Sequence, residues 1–284
     1  MEETLRQGIY EDKEQILEIS KTVWERNDFI LRTVDSWLDP ESGKILVVEK
    51  DGEIRAFAKM SYLTKIDYWL EGLRVKEAYR GRGYANLLTG ELIQEAKKTN
   101  PRSLRFACHR KAVGSIRSGE KHGFLRKAEL NFILCEKLPR VKPEIRISLL
   151  SKDQNPYEKL REFPQFYRHH GFLFGSKWKF LPAEERILKK LHREGKILVT
   201  EEEKDLLVYD HDSDDLRLLF YAGGREGVKQ LILALGEKEP GKLIKTMTLP
   251  KSEYNPIFQE LGFHMKGERE VELPPNVYLY EYPL

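Results

Sequence analysis

Residues 71–86 read EGLRVKEAYRGRGYAN, with two glycines and two arginines where a strand-like run gives way to a helix-like one. A turn uses one glycine, so the others need another explanation. The start of a helix carries free backbone N–H groups and the positive end of the helix dipole, and the turn leading into it is a natural seat for an anion. Gly81 and Gly83 let the backbone approach such an anion closely, while Arg80 and Arg82 add charged donors. The combination suits a pyrophosphate.

Two common phosphate loops fit poorly. A nucleotide triphosphatase loop needs G-x-x-x-x-G-K-[ST], and no Gly-Lys-Ser or Gly-Lys-Thr occurs in the chain. A dinucleotide fingerprint needs a third glycine or alanine where Asn86 stands, and it opens its domain instead of following several strands.

Several strands do come first. Leu5–Tyr10 reads as a short strand, followed by a helix on which Ile16, Leu17, Ile19 and Val23 recur at helical spacing. DFILRTVDSWL offers a second short helix, ended by Pro40. KILVVEKDGEIRAFAKMSYL predicts two strands joined at Asp51-Gly52, a strong two-residue hairpin signal, and IDYWLEGLRV continues as a third. From Gly83 the period becomes helical, with Leu87, Leu88, Leu92, Ile93 and Ala96 expected on one face. SLRFACHR predicts a strand, GSIRSGEKHGF a helix closed by Gly123, and ELNFILCEKL a closing strand. Pro139 and Pro143 punctuate PRVKPE, read as a linker.

The second half repeats this order without repeating the letters. EIRISLL precedes a helix from about Tyr157 to His169, and PAEERILKKLHREG supplies another. Strands follow at KILVTEE, DLLVYD and DLRLLFYA, then a helix at REGVKQLILALG, a strand at LIKTMTL, a helix at NPIFQELGF and a strand at VYLYEYP. Both halves end their last helix alike, EKHGF against QELGF. A diverged tandem duplication accounts for this with one assumption, and two unrelated α/β halves with ordinary Gly-Phe helix stops are the alternative. The expected domains are 1–138 and 144–284, joined by 139–143.

Composition narrows the function classes. The 284 residues carry 49 Lys plus Arg against 46 Asp plus Glu, a formal charge of +3 that is too small and too interspersed to demand a nucleic-acid partner. Two cysteines, Cys108 and Cys135, have neither C-x-x-C nor zinc spacing, and the N-terminus has no apolar core of a signal peptide. No apolar run reaches the roughly 18 residues that cross a bilayer. A cytoplasmic protein without membrane, nucleic-acid or metal partners is expected, as monomer or homodimer.

The region around RGRGYA resembles the GNAT superfamily of N-acetyltransferases, whose phosphate loop is written [QR]-x-x-G-x-[GA]. Arg80, Gly83 and Ala85 occupy those positions, LRV precedes them at the family's spacing, and SIRSGEKHGF is similar to the family's next motif. The likeness covers residues 5–137. It implies an α/β (α+β) fold with a mixed, mostly antiparallel sheet flanked by helices in each half, acetyl-CoA as co-substrate without a metal, and a primary amine of a small molecule or protein as acceptor. It also implies a bulged fourth strand that splays from the fifth, so that pantetheine pairs with it. Gly72 stands where such a bulge would want a glycine. Backbone groups of Leu73, Arg74 and Val75 would hold the arm, and the N–H groups of Arg80, Gly81, Arg82, Gly83, Tyr84 and Ala85 the pyrophosphate.

An amine must lose a proton before it attacks. Glu71, two residues before Leu73 and therefore expected on the same face, stands where relatives carry the acidic residue credited with taking that proton. A substrate anchor or a plain cross-strand partner are the other readings. The family's Asn and Tyr on the fourth helix are missing, since Ala112 and Gly119 take their places. His109, Tyr84 or water would have to protonate the leaving thiolate. The absent pair also leaves open a non-catalytic acyl-CoA-binding or regulatory module.

At the matching joint the second half reads FYAGGREGVKQL, which keeps glycines but not the motif. A catalytic half followed by a degenerate one is loosely similar to the architecture of histidine N-acetyltransferase-type proteins; the second half would shape the acceptor site or stabilise the first. His169-His170 is not read as a metal pair, because adjacent helical residues face apart. DHDSDD at 210–215 lacks the glycine and terminal glutamate of a calcium loop and reads as a hairpin turn. Phe163, Phe166, Tyr167, Phe172 and Phe174 are expected to be packing residues.

Overall fold

The computed structural model describes residues 3–23, 28–168, 172–174, 178–212, 215–265 and 274–284. The chain divides into two compact units, Met1–Ala128 with Tyr278–Leu284, and Glu129–Val277. This differs from the expected boundary at 139–143. The strand expected to close the first half passes mostly into the second unit, and the chain's last strand belongs to the first.

In the first unit β1 (Thr4–Gln7) is followed by α1 (Lys13–Lys21) and α2 (Val34–Leu38). The helix expected over DFILRTVDSWL is split: Phe29–Arg32 forms a 3-10 turn before α2. Then come β2 (Gly43–Lys50), β3 (Glu53–Tyr62), β4 (Asp67–Val75), α3 (Tyr84–Lys97), β5 (Ser103–His109) and α4 (Val113–Lys121); β6 (Leu125–Cys135) begins here and continues into the second unit. The Asp51-Gly52 hairpin forms as read, both residues having positive φ, as the favoured two-residue turn requires.

The second unit holds β7 (Ile147–Leu149), α5 (Pro156–Arg161), α6 (Pro164–Arg168), β8 (Phe172–Phe174), β9 (Phe180–Pro182), α7 (Glu185–Arg193), β10 (Ile197–Thr200), β11 (Leu206–Asp212), β12 (Asp215–Ala222), α8 (Arg225–Lys238), β13 (Leu243–Thr248), α9 (Asn255–Glu260) and β14 (His264–Met265). The single helix expected from Tyr157 breaks at Pro164, which has no N–H for an i−4 bond, so two short helices result. β8 and β9 form a small hairpin that the aromatic run FLF did not announce. Within DHDSDD, β11 and β12 pair with Asp212 opposite Asp215, and the expected turn at Ser213 and Asp214 lies outside the described residues. His169 and His170 lie outside the described residues. The last strand, β15 (Val277–Glu281), returns to the first unit from Tyr278.

The first unit's sheet runs β1-β2-β3-β4-β5-β15, antiparallel from β1 to β4 and parallel between β4 and β5. One face packs Ala58, Met60, Tyr68 and Leu70 against Leu88, Leu92, Ile93 and Ala96 of α3, with Phe106 and Tyr280 completing the cluster. Leu87, expected on that face, is exposed. The other face packs Val47 and Phe57 against Ile16 and Ile19 of α1 and Val34 and Trp37 of α2. The second unit's sheet runs β7-β10-β11-β12-β13-β6, with β12 and β13 parallel and β14 also on β6. Among the described residues no helix is long and apolar enough to cross a membrane.

Candidate active site

The site begins with a break in strand pairing. β4 pairs with β5 only at Asp67–Ser103, Tyr68–Leu104 and Trp69–Arg105; beyond these the two parallel strands part. Next to that opening β4 carries a bulge. Glu71 pairs with Lys59 and Arg74 with Phe57, so Gly72 and Leu73 together face Ala58. Gly72 has φ +64°, and a Cβ there would lie 1.9 Å from Cη2 of Trp37. Both the left-handed backbone and the indole exclude any other residue. The parting leaves one edge of β4 from Leu70 to Val75 without a neighbouring strand, the condition for an extended ligand to add as one.

The loop after β4 leads into α3 through two glycines. Gly81 and Gly83 have φ +79° and +90°, and Gly83 is the N-cap of α3. A Cβ built at either would meet nothing within 4 Å, so conformation and open approach, not packing, select glycine here. The ladder of α3 starts with Leu87 N–H on Gly83 O at 3.0 Å, and the amides of Tyr84, Ala85 and Asn86 point out of the helix start. Arg80 is 54 % exposed, its nearest partner Glu77 being 4.0 Å away. The Arg82 guanidinium lies over the Tyr79 ring, 5.1 Å from its centroid. These residues fit a diphosphate. Arg80, Gly81, Arg82, Gly83 and Ala85 lie together in this loop, although the Arg80 amide expected to face the diphosphate already donates to Glu77 O at 3.2 Å; the Tyr84 side chain is not at the loop, because it is buried in the core and its hydroxyl bonds Arg55 and Glu3. Only its backbone amide remains at the loop, and the phenol is removed from the candidate acids.

Glu71 and Leu73 do not share a face. The bulge adds a residue between them, so Leu73 and Val75 pack with the α3 side while Glu71 lies opposite Lys59 and accepts from the Ser61 hydroxyl on the side of α1 and α2. The Arg74 side chain turns to the same side, where Nε donates to the buried Asp28 at 2.7 Å and Nη1 to Leu73 O at 3.0 Å. Its guanidinium is thereby committed to holding the strand.

The thiolate-side candidates change as well. Gly119 leaves room for a ring: a Cβ there would be 2.5 Å from Cζ of Phe106, which itself stacks on Tyr280 with centroids 4.9 Å apart. Phe106 thus fills the place that a larger residue at 119 would need. His109 accepts from the Lys111 amide at Nδ1, 3.1 Å, and burial with the neighbouring charges of Lys111 and Arg110 lowers its pKa below 6.5. It is uncharged at neutral pH, a poor condition for an acid. Sequence reasoning missed Trp37, Lys59 and Phe106; a lone lysine within the apolar run AFAKMSY was the available signal.

The second unit also has a pair of parallel strands that part and a bulged strand beside them. β12 pairs with β13 only over Asp215–Arg217, and β12 bulges where the register shifts between Val208 and Tyr209. Its loop is different. The Asp205 carboxylate accepts from Gly224 N–H at 2.6 Å and from Thr200 Oγ1 at 3.0 Å, and a Cβ at Gly227 would lie 2.0 Å from it. The start of α8 is occupied by the chain's own anion. Among the described residues no cluster of His, Cys, Asp and Glu could hold a metal ion.

Comparison with known proteins agrees with this geometry. No curated protein matches the chain. A GCN5-related N-acetyltransferase from Sphaerobacter thermophilus superposes with TM-score 0.69 at 12 % identity, over 98 % of this chain and 95 % of that one. One from Kribbella flavida superposes with TM-score 0.53 at 13 % identity, over 99 % and 70 %. Identities this low show a common fold. The model of the acetyltransferase (GNAT) family matches residues 7–124. The segment that carries the parted strands and the Arg80–Ala85 loop is thus the part of the chain that matches the acetyltransferase (GNAT) family.

Proposed function

We propose that the first unit is an acetyl-CoA-dependent N-acetyltransferase that moves the acetyl group to a primary amine of a small molecule or protein by direct attack. The observation that carries this reading is the parting of β4 from β5 beside the Gly72 bulge, with the open helix start of α3 at Gly83 following in the chain. Leu73 and Val75 offer backbone groups to the pantetheine arm, and Arg80, Gly81, Arg82, Gly83 and the amides of Tyr84 and Ala85 hold the diphosphate. Acetyl-CoA supplies the activated thioester. Glu71, on the α1 and α2 side of β4, takes the proton as the amine nitrogen bonds to the acetyl carbon and the sulfur departs. Water protonates the thiolate, since a thiol pKa of about 8.5 makes it a tolerable leaving group near neutrality.

The second unit is, in this reading, a diverged copy of the first in which Asp205 replaces the bound diphosphate. It leaves one donor site per chain. A monomer or homodimer working in the cytoplasm suits these properties.

Mixing the protein with acetyl-CoA and a panel of amines tests the reading: free thiol appearing only with an amine supports it. Arg80→Ala should raise the acetyl-CoA KM about tenfold while leaving the melting temperature unchanged, the loss expected for one charged hydrogen bond. A non-catalytic acyl-CoA-binding module is the second reading, favoured by Phe106 filling the space beside Gly119. Tight CoA binding without thiol release would establish it.

A further inference from the structure

The reading above depends on a bulge staying bulged. A glycine at φ +64° in the middle of a strand has easy alternatives, among them regular pairing with β3, which would carry Leu73 to the other face. What removes those alternatives is the six-membered ring of Trp37. An ideal Cβ on Gly72 would fall 1.9, 2.5 and 3.1 Å from Cη2, Cζ3 and Cζ2, so the ring lies directly against the glycine backbone. Trp37 is itself held at both ends. Phe29 meets its ring edge to face at 5.6 Å, and its carbonyl accepts from Lys59 Nζ at 2.6 Å.

Lys59 is an expensive choice for that task. It is 1 % exposed, on β3 directly opposite Glu71, with Nζ also donating to Ser42 Oγ and lying 5.7 Å from the Trp37 ring centroid. Burying an ammonium is unfavourable unless fixed acceptors compensate, and one of the acceptors here is the backbone of the residue that presses on the bulge. The contacts close a loop: β4 at Gly72, the indole, the Trp37 carbonyl, Lys59, and back through β3 to Glu71 beside Gly72.

We propose that Trp37, tethered by Lys59, is a positioning residue that holds the β4 bulge in the form that presents Leu73 and Val75 to the pantetheine arm. The proposal rests on the donor assignment made above. It predicts a split between the two ends of the donor, because the nucleotide end is held by the Arg80–Ala85 loop and not by the bulge.

Calorimetry on the full chain with CoA and with adenosine 3′-phosphate 5′-diphosphate, which lacks pantetheine, separates the two. Trp37→Leu should weaken CoA about tenfold and leave the nucleotide within about twofold, and Lys59→Met should show the same split. Trp37→Phe, which keeps a ring against Gly72, should recover most of the CoA affinity. Should Trp37→Leu fail to fold, the Phe and Met variants carry the comparison. Equal weakening of both ligands, or unchanged CoA binding in Lys59→Met and Trp37→Leu, overturns the positioning role. A wild-type chain that binds neither ligand overturns the donor assignment, and the proposal falls with it.

Discussion

Glu71 shows how much a single position gains from its neighbours. Its carboxylate sits beside Ser61 and across from a buried lysine, one step before the bulge. Glu71→Gln keeps the size and the hydrogen bond from Ser61 but cannot take a proton. Turnover is expected to fall about a hundredfold while calorimetric CoA affinity stays as in the wild type; unchanged turnover would remove Glu71 from the proton-transfer role. Two further residues of the first unit give a pH dependence. Burial pushes the Cys108 thiol from 9.0 up to about 12. Burial and the hydrogen bond to Glu120 push the Tyr280 phenol from 10.0 up to about 12. Above about pH 9 the unfolded chain sheds these protons while the folded one keeps them, so stability is complete below that pH and is lost as pH rises toward 12. Melts between about pH 8 and about pH 11 should show this decline, and Cys108→Ala should make it shallower.

Elements decide what the loop and the fourth helix can do. α3 begins at a left-handed glycine with nothing beside it, whereas α8 begins with a carboxylate already seated. The helix start is thus open at α3 and filled at α8. On α4 the glycine at 119 is a packing choice. Gly119→Ala puts a Cβ 2.5 Å from the Phe106 ring and should cost about 1–3 kcal/mol in chemical denaturation. Adding Phe106→Leu should recover much of that loss, and no recovery would mean that another neighbour sets the limit. The elements themselves were largely legible: the Asp51-Gly52 hairpin and the Gly83 helix start each rest on local backbone chemistry, while the bulge at Gly72 was implied by the resemblance. Pro164 was legible too, and reading through it joined two helices that its ring separates.

At the scale of the whole molecule the last strand matters most. Tyr280 is fully buried in the first unit's core, stacked on Phe106, with its hydroxyl donating to Glu120 at 2.8 Å and accepting from Arg126 at 3.3 Å. Tyr278 and Tyr282 pack at the edge of the same cluster. Losing one buried aromatic costs about 3–5 kcal/mol, a large share of the 5–15 kcal/mol that keeps a domain folded. Deleting residues 277–284 should therefore abolish cooperative unfolding of the first unit and bring dye-accessible apolar surface with it. A truncated chain that melts like the intact one would show that the unit is complete without its final strand.

The bulge at Gly72 was expected only from the family resemblance. Local signals in the sequence were enough for the glycine loop before α3 and for most of the order of strands and helices, because turns, caps and periodicity depend on residues close together in the chain. Partners far apart in sequence were out of its reach. Which face Glu71 takes follows from a bulge that shifts parity; Trp37 reaches Gly72 across 35 positions, Asp205 reaches the start of α8, and residues 278–284 return to a unit that began the chain. Those contacts form only when the folded backbone brings distant segments within a few ångströms, so tertiary structure alone determined them.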